Sequence, residues 1–150
     1  DPAASTDSTV TNGEKHAATI LLVDDNDAVR CGSKLLLERC EQHDFSVLAA
    51  GTGREALRLL QQRRDKVSII VLDLELPDYQ GAVLLRQMRQ VVPGSPILVV
   101  SGQPEAQLIA QCDGQKPEGL LVKPFDGDAL IKEVDSILRS SRSEKPNSGR

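Results

Sequence analysis

Tryptophan is absent from this chain, and Phe45, Tyr79 and Phe125 are its only aromatic residues. So few rings cannot form a platform for stacking unpaired bases, and the core must be built from Leu, Ile and Val. An excess of basic charge is also missing. Eighteen Lys and Arg stand against 22 Asp and Glu, a net charge of −4, which leaves no broad footprint for a phosphate backbone and argues against nucleic acid as a direct partner. Cysteine is scarce and odd in number: Cys31, Cys40 and Cys112 show no C-x-x-C spacing. This suggests neither a disulfide framework nor a zinc site, and it suits a reducing cytoplasm. Cys31 and Cys40 fall in a helical pattern and are expected to be small core residues. No apolar run approaches the ~18 residues of a membrane span, and no signal-peptide pattern opens the chain, so no membrane contact by this domain is expected. An initiating methionine is lacking as well, because the chain begins Asp1-Pro2, which suggests a piece of a longer polypeptide.

What is present suffices for one domain: 150 residues, 39 % of them hydrophobic, can enclose a sizeable core. Residues 1–18 are rich in Ser, Thr, Asp and Asn and read as a disordered linker, with His16 as a solvated member of it. Residues 140–150 (SSRSEKPNSGR) read as a disordered tail, which leaves 19–139 as the folded part. Inside it, short apolar runs at 19–24, 45–50, 67–74, 95–101 and 119–122 are strand candidates. Most lack the apolar/polar alternation of a half-exposed strand and should be buried on both faces, as parallel strands are. Helical patterns fill the gaps: Asp27 to about Gln42, Gly53 to Arg64 behind a Thr52-x-x-Glu55 capping box, Gly81 to Val92, a short segment after Pro104, and 128–139. The segment after Pro104 runs into CDGQKPEG, which is loop chemistry. Strands alternating with helices in this way predict an α/β fold, a doubly wound five-stranded parallel sheet with helices on both faces. In such sheets ligands sit beyond the C-terminal strand ends.

One feature at those ends stands out. ILLVDDND sets Asp24 and Asp25 side by side where an apolar run stops. Two unit charges ~4 Å apart at an effective dielectric near ~20 repel by roughly 4 kcal/mol. Taken alone, the pair reads equally well as a polar strand end entering a helix capped by Asn26 or Asp27. Yet Asp73, Ser101 and Lys123 close the third, fourth and fifth strand candidates, so a parallel sheet brings three carboxylates, a hydroxyl and an ammonium to one edge. Clustered carboxylates call for a hard cation, and Mg²⁺ accepts a few carboxylates and a carbonyl while keeping waters for a phosphoryl group. A carboxylate in such a setting can attack phosphorus and form an acyl phosphate. Lys123, Ser101 and the metal could then each neutralise or bond one equatorial oxygen.

With LLVDDND, VLDLELPDYQG, ILVVSG and LLVKPF in this order, and 28 residues from Asp73 to Ser101 and 22 more to Lys123, residues 19–139 resemble the receiver domain of two-component response regulators. The resemblance implies a (βα)5 flavodoxin-like fold with strand order 2-1-3-4-5. It implies that Asp73 is the phosphoacceptor, charged from the phosphohistidine of a histidine kinase core. Asp25, Asp73 and the Glu75 backbone carbonyl would ligate Mg²⁺, or Mn²⁺ in its place, with Asp24 assisting through water. Lys123 would contact the phosphate, and the Lys123-Pro124 bond would be cis. Phosphorylation would draw the Ser101 hydroxyl inward and repack the face of helix four, strand five and helix five. Two departures from the family bear on that output. Leu120 stands where an aromatic switch is common, and GQKPEG precedes strand five, so helix four should end early or irregularly. Glu75 and Gln103 flank the site and are expected to influence phosphate lifetime.

Two other readings compete. Haloacid-dehalogenase phosphatases also combine an aspartyl nucleophile, a lysine, a hydroxyl and Mg²⁺, but there the nucleophile precedes the acidic pair and an Asp follows two residues later; here the pair comes first and position 75 is Glu. A pseudo-receiver would keep the fold as a non-phosphorylated binding module, against which the full set of Asp25, Asp73, Ser101 and Lys123 argues. The resemblance therefore points to a phosphoacceptor that assists its own phosphorylation and dephosphorylation. It would sit in the cytoplasm as the C-terminal receiver of a hybrid sensor histidine kinase, or alternatively as a stand-alone regulator. Its partners would be a kinase core, in cis in the hybrid case, and a histidine phosphotransfer protein.

Overall fold

The structure, a computed structural model, describes residues 17–148, with side chains described through Ser141. The chain alternates strictly: β1 (Ala17–Val23), α1 (Asp27–Glu38), β2 (Asp44–Ala50), α2 (Gly53–Gln62), β3 (Ile69–Asp73), α3 (Gly81–Val91), β4 (Ile97–Ser101), α4 (Glu105–Gln111), β5 (Gly119–Val122) and α5 (Gly127–Ser148). The five strands form one parallel sheet in the order β2-β1-β3-β4-β5. The expected fold class and strand order are therefore those observed.

Side chains two apart on a strand share a face, and this explains the uninterrupted apolar runs. Leu21 and Val23 of β1 join Ile70 and Leu72 of β3 and Ile97 and Val99 of β4 on one face, beneath Ala56, Leu60, Leu84, Leu85, Met88 and Leu108 of α2, α3 and α4. Ile20, Leu22, Ile69, Val71, Leu98 and Val100 point the other way, against Leu37 of α1 and Leu130, Val134, Ile137 and Leu138 of α5. Both faces of the three inner strands are thus core. Every residue of β3 and β4 is buried, whereas the edge strand β5 is only half-buried.

Several local expectations are corrected. Strand β1 starts at Ala17, which pairs with Asp44, so the last two residues assigned to the linker belong to the sheet; residues 1–16, His16 included, lie outside the described residues. Helix α1 stops at Glu38, where the Arg39 N–H closes on Leu35 and Leu37, and not near Gln42. Cys40 therefore lies beyond the helix and is only half-buried, while Cys31 is exposed. The reason is geometric: α1 buries a narrow stripe centred on Leu37, and Cys31 lies off it; even Leu35 is 51 % exposed. Helix α5 runs on to Ser148, past the expected boundary at 139. As far as Lys145 the added residues, SSRSEK, contain no glycine or proline, and extending an existing helix fixes only one residue per added hydrogen bond; Pro146 falls in the last turn. Helix α4 is short, as its sequence implied, and ends in left-handed backbone at Asp113 (φ 50°) and Gly114 (φ 85°).

Candidate functional site

The acidic pair sits at the turn between β1 and α1, and the local chain explains its shape. Asn26 caps α1, its Oδ1 accepting from the Val29 N–H at 2.9 Å, while its own N–H donates to Asp24 Oδ1 at 2.9 Å. The Asp24 side chain is thereby turned back over the strand ends and buried, and Asp25 is left exposed. Asn26 is thus the cap, and the two aspartates are left to meet Asp73 at the strand ends.

Parallel pairing brings the other members alongside. Asp73, at the end of β3, is 3 % exposed, and its Oδ1 accepts from the Glu75 N–H at 2.9 Å. One carboxylate oxygen from each of Asp24, Asp25 and Asp73 lies within 4.8 Å of the others. From beyond β5, Lys123 Nζ donates to Asp24 Oδ2 at 3.1 Å and to Asp73 Oδ2 at 3.3 Å. Its backbone is pinned to β4, the Lys123 N–H donating to the Ser101 carbonyl at 2.8 Å, and the Lys123-Pro124 bond is cis. Burial raises the Asp73 carboxyl above its ordinary range, and Asp24 adds to this, against the opposing pull of the Glu75 amide and Lys123. Burial opposes the Lys123 charge, but the Asp73 and Asp24 carboxylates outweigh it and hold the ammonium above its usual value.

The three expected carboxylate ligands suit a divalent cation. They converge at the strand ends, and the Glu75 N–H donates to one of them, Asp73. An all-oxygen donor set of this kind suits a hard divalent cation such as Mg²⁺ or Mn²⁺. Ser101 is fully buried at the end of β4, but its hydroxyl donates to Glu75 Oε2 at 3.1 Å. It accepts from the Gln103 N–H at 3.1 Å.

Arg30 and Asp78 escaped the sequence reading, and Glu75 was named there without its hydrogen bonds. Arg30 donates to the Asp24 carbonyl at 2.7 Å and pairs with Asp27, tying α1 to the β1 end. The Glu75 side chain gathers donors from the β4–α4 turn. Asp78, in the loop after β3, accepts from the Gly53 and Arg54 N–H groups at 2.9 and 3.0 Å. The turn-forming string LPDYQG announces a loop there, but nothing local announces a partner 25 residues away. The capping box also differs in detail: Thr52 Oγ1 accepts from Glu55, whose carboxylate reaches back to the Gly51 N–H and not to that of Thr52.

Comparison with known proteins gives a consistent picture. The family described as response regulator receiver domain matches residues 20–135. Sensor kinase CckA of Brucella abortus is 34 % identical over 122 residues, 81 % of this chain and 13 % of that protein. Transcriptional regulatory protein GlrR of Escherichia coli is 32 % identical over 83 % of this chain and 27 % of its own length. Cell cycle response regulator CtrA of Brucella ovis is 31 % identical over 82 % of this chain and 51 % of its own. The chain thus spans about half or less of these curated relatives. Among solved structures, a CheY-like receiver domain protein from Methanospirillum hungatei superposes with a TM-score of 0.77 at 23 % identity, over 85 % of this chain and 98 % of that one. A LuxR-family response regulator from Aurantimonas gives 0.72 at 29 % identity, over 83 % and 86 %.

Proposed function

The chain belongs to the family of response regulator receiver domains, and from that premise we propose that Asp73 is its phosphoacceptor, taking a phosphoryl group from the phosphohistidine of a histidine kinase. The observation that carries this reading is the setting of Asp73. It is a buried carboxylate with one oxygen held by the Glu75 N–H and the other 3.3 Å from the Lys123 ammonium, beside Asp24 and Asp25.

In the transfer, a carboxylate oxygen of Asp73 attacks phosphorus as the P–N bond to the donor imidazole breaks, and the electron pair leaves with that nitrogen. Phosphoryl transfer chiefly needs positioning and neutralisation of oxygen charge. Lys123 would move from the carboxylates to an incoming phosphoryl oxygen, and Ser101 would hydrogen-bond another. Asp24, Asp25, Asp73 and the Glu75 carbonyl would hold Mg²⁺, which when bound supplies charge neutralisation at the phosphoryl group.

For the wider protein we favour a hybrid sensor histidine kinase, supported by the 34 % identity to sensor kinase CckA. The kinase core would then be the donor, in cis, and a histidine phosphotransfer protein a recipient. The likeness to GlrR and CtrA supports a regulator as the second reading. With either goes a cytoplasmic location, where ATP charges the donor.

The test is Asp73→Asn, which keeps shape and removes the nucleophile. Incubated with acetyl phosphate and Mg²⁺, the wild type should gain 80 Da by intact mass spectrometry and the variant should not. A variant that still gains the mass would defeat the assignment.

A further inference from the structure

The Ser101 hydroxyl lies at the rim of the acidic site, yet it is already committed elsewhere. Its proton is donated to Glu75 Oε2 at 3.1 Å, and a hydroxyl has only one proton to give. The same Glu75 carboxylate takes further bonds from the turn that follows β4: Gln103 Nε2 donates to Oε2 at 3.3 Å and the Gly102 N–H to Oε1 at 3.4 Å. The Gln103 N–H in turn donates to Ser101 Oγ at 3.1 Å. These four bonds make a closed network between the loop after β3 and the turn that leads into α4. It is stitched by a side chain two residues beyond Asp73.

We propose that the Glu75 side chain is a latch on Ser101, holding its hydroxyl in competition with a phosphoryl group on Asp73. This rests on the phosphoacceptor reading of Asp73. The competition has two sources. Ser101 cannot donate to Glu75 and to a phosphoryl oxygen at once, so engaging the phosphoryl group means giving up the Glu75 bond. A phosphoryl group also brings negative charge to the rim where the Glu75 carboxylate sits. The second effect is the smaller, because Glu75 is exposed and its charge is screened by salt. Because Glu75 also holds Gly102 and Gln103, release of the latch frees the turn immediately preceding α4, which makes Glu75 a positioning residue for the conformational response.

The test is a double-mutant cycle read by beryllofluoride affinity at saturating Mg²⁺, followed by ¹⁵N NMR, in wild type, Glu75→Ala, Glu75→Gln, Ser101→Ala and Glu75→Ala/Ser101→Ala. A part-buried hydrogen bond with one partner in water has a net worth of about 1 kcal/mol, so Glu75→Ala should tighten beryllofluoride by about fivefold. Glu75→Gln should fall between Glu75→Ala and wild type, because an amide oxygen accepts the same proton with less strength. In the Ser101→Ala background the gain from Glu75→Ala should fall below about twofold, which is the coupling that defines a latch. A merely structural Glu75 would give the opposite result: losing it would loosen the β4–α4 turn and weaken binding. Unchanged or weaker binding by Glu75→Ala, or an equal gain in both backgrounds, overturns the latch while leaving the phosphoacceptor reading intact. A wild type that binds no beryllofluoride with Mg²⁺ present overturns both.

Discussion

At the scale of single residues, the site is a balance of charges that the folded chain holds against its own stability. Asp73 is buried beside a second buried carboxylate, and Lys123 does not fully compensate it, so its carboxyl binds a proton more tightly folded than unfolded. The sign of the linkage follows. As pH rises from the ordinary value of 3.8 through the raised folded value, the folded state loses protons it had retained, and stability falls. Above that window the full cost of the ionised carboxylate is present. Asp73→Asn removes the charge, so in metal-free buffer at pH 7 it should stabilise the domain and raise its Tm. The gain should vanish below the ordinary carboxylate value, where wild-type Asp73 is neutral in both states. Urea denaturation of both proteins from pH 3.5 to 8 checks this. Parallel curves, or a less stable variant at pH 7, would show that Lys123 already compensates Asp73.

At the scale of elements, the loop after β3 is organised by helix α2. A helix start leaves its first N–H groups without intrahelical partners, and here each finds one: Asp78 takes those of Gly53 and Arg54, and Thr52 Oγ1 takes that of Glu55. Gly53 is needed for this approach, since a Cβ there would fall 2.5 Å from Tyr79 Cδ1. Slight burial raises the Asp78 carboxyl, but the two amide bonds outweigh it and hold it below the ordinary range. A depressed carboxyl stabilises the fold above its unfolded value, and that contribution is lost as pH falls through the folded one. Asp78→Ala should therefore cost about 1 kcal/mol at pH 7. Asp78→Asn should cost less, and the difference between wild type and Asp78→Ala should shrink in acid. The observable is the urea midpoint at pH 7 and at pH 3; an Asp78→Ala protein matching wild type at pH 7 would mean that solvent satisfies those amides equally well.

At the scale of the whole molecule, the legible part of the design was its topology. Runs such as IIVLD and ILVVS are apolar on both faces, which only a sheet covered on both sides can use. A parallel sheet then sends every strand's C-terminal residue to one edge, so Asp24, Asp73, Ser101 and Lys123 could be placed together from their positions in the runs. What was not legible depends on pairings between distant side chains, as between Asp78 and Gly53 or Glu75 and Ser101. Nor does helical periodicity say how wide a stripe its neighbours cover, which is why Cys31 is exposed. The same topology sets where the molecule is weakest. Helix α4 spans seven residues, carries one buried side chain, Leu108, with Cys112 at its end, leaves Ile109 56 % exposed, and closes in left-handed turns. Helices α2 and α3 each bury three or more residues. Local opening follows sparse burial, so the α4 amides should exchange with deuterium faster than those of α2 and α3. Ser101, Gly102 and Gln103 lead directly into α4, and Leu120 is packed against the core where a mobile aromatic ring is lacking. The response to Mg²⁺ and beryllofluoride should therefore appear as a change of at least about threefold in α4 exchange, with α2 and α3 unchanged. Protection of α4 equal to that of α3, or indifferent to beryllofluoride that NMR shows to be bound, would mean that the strand-end site has no mechanical outlet through α4.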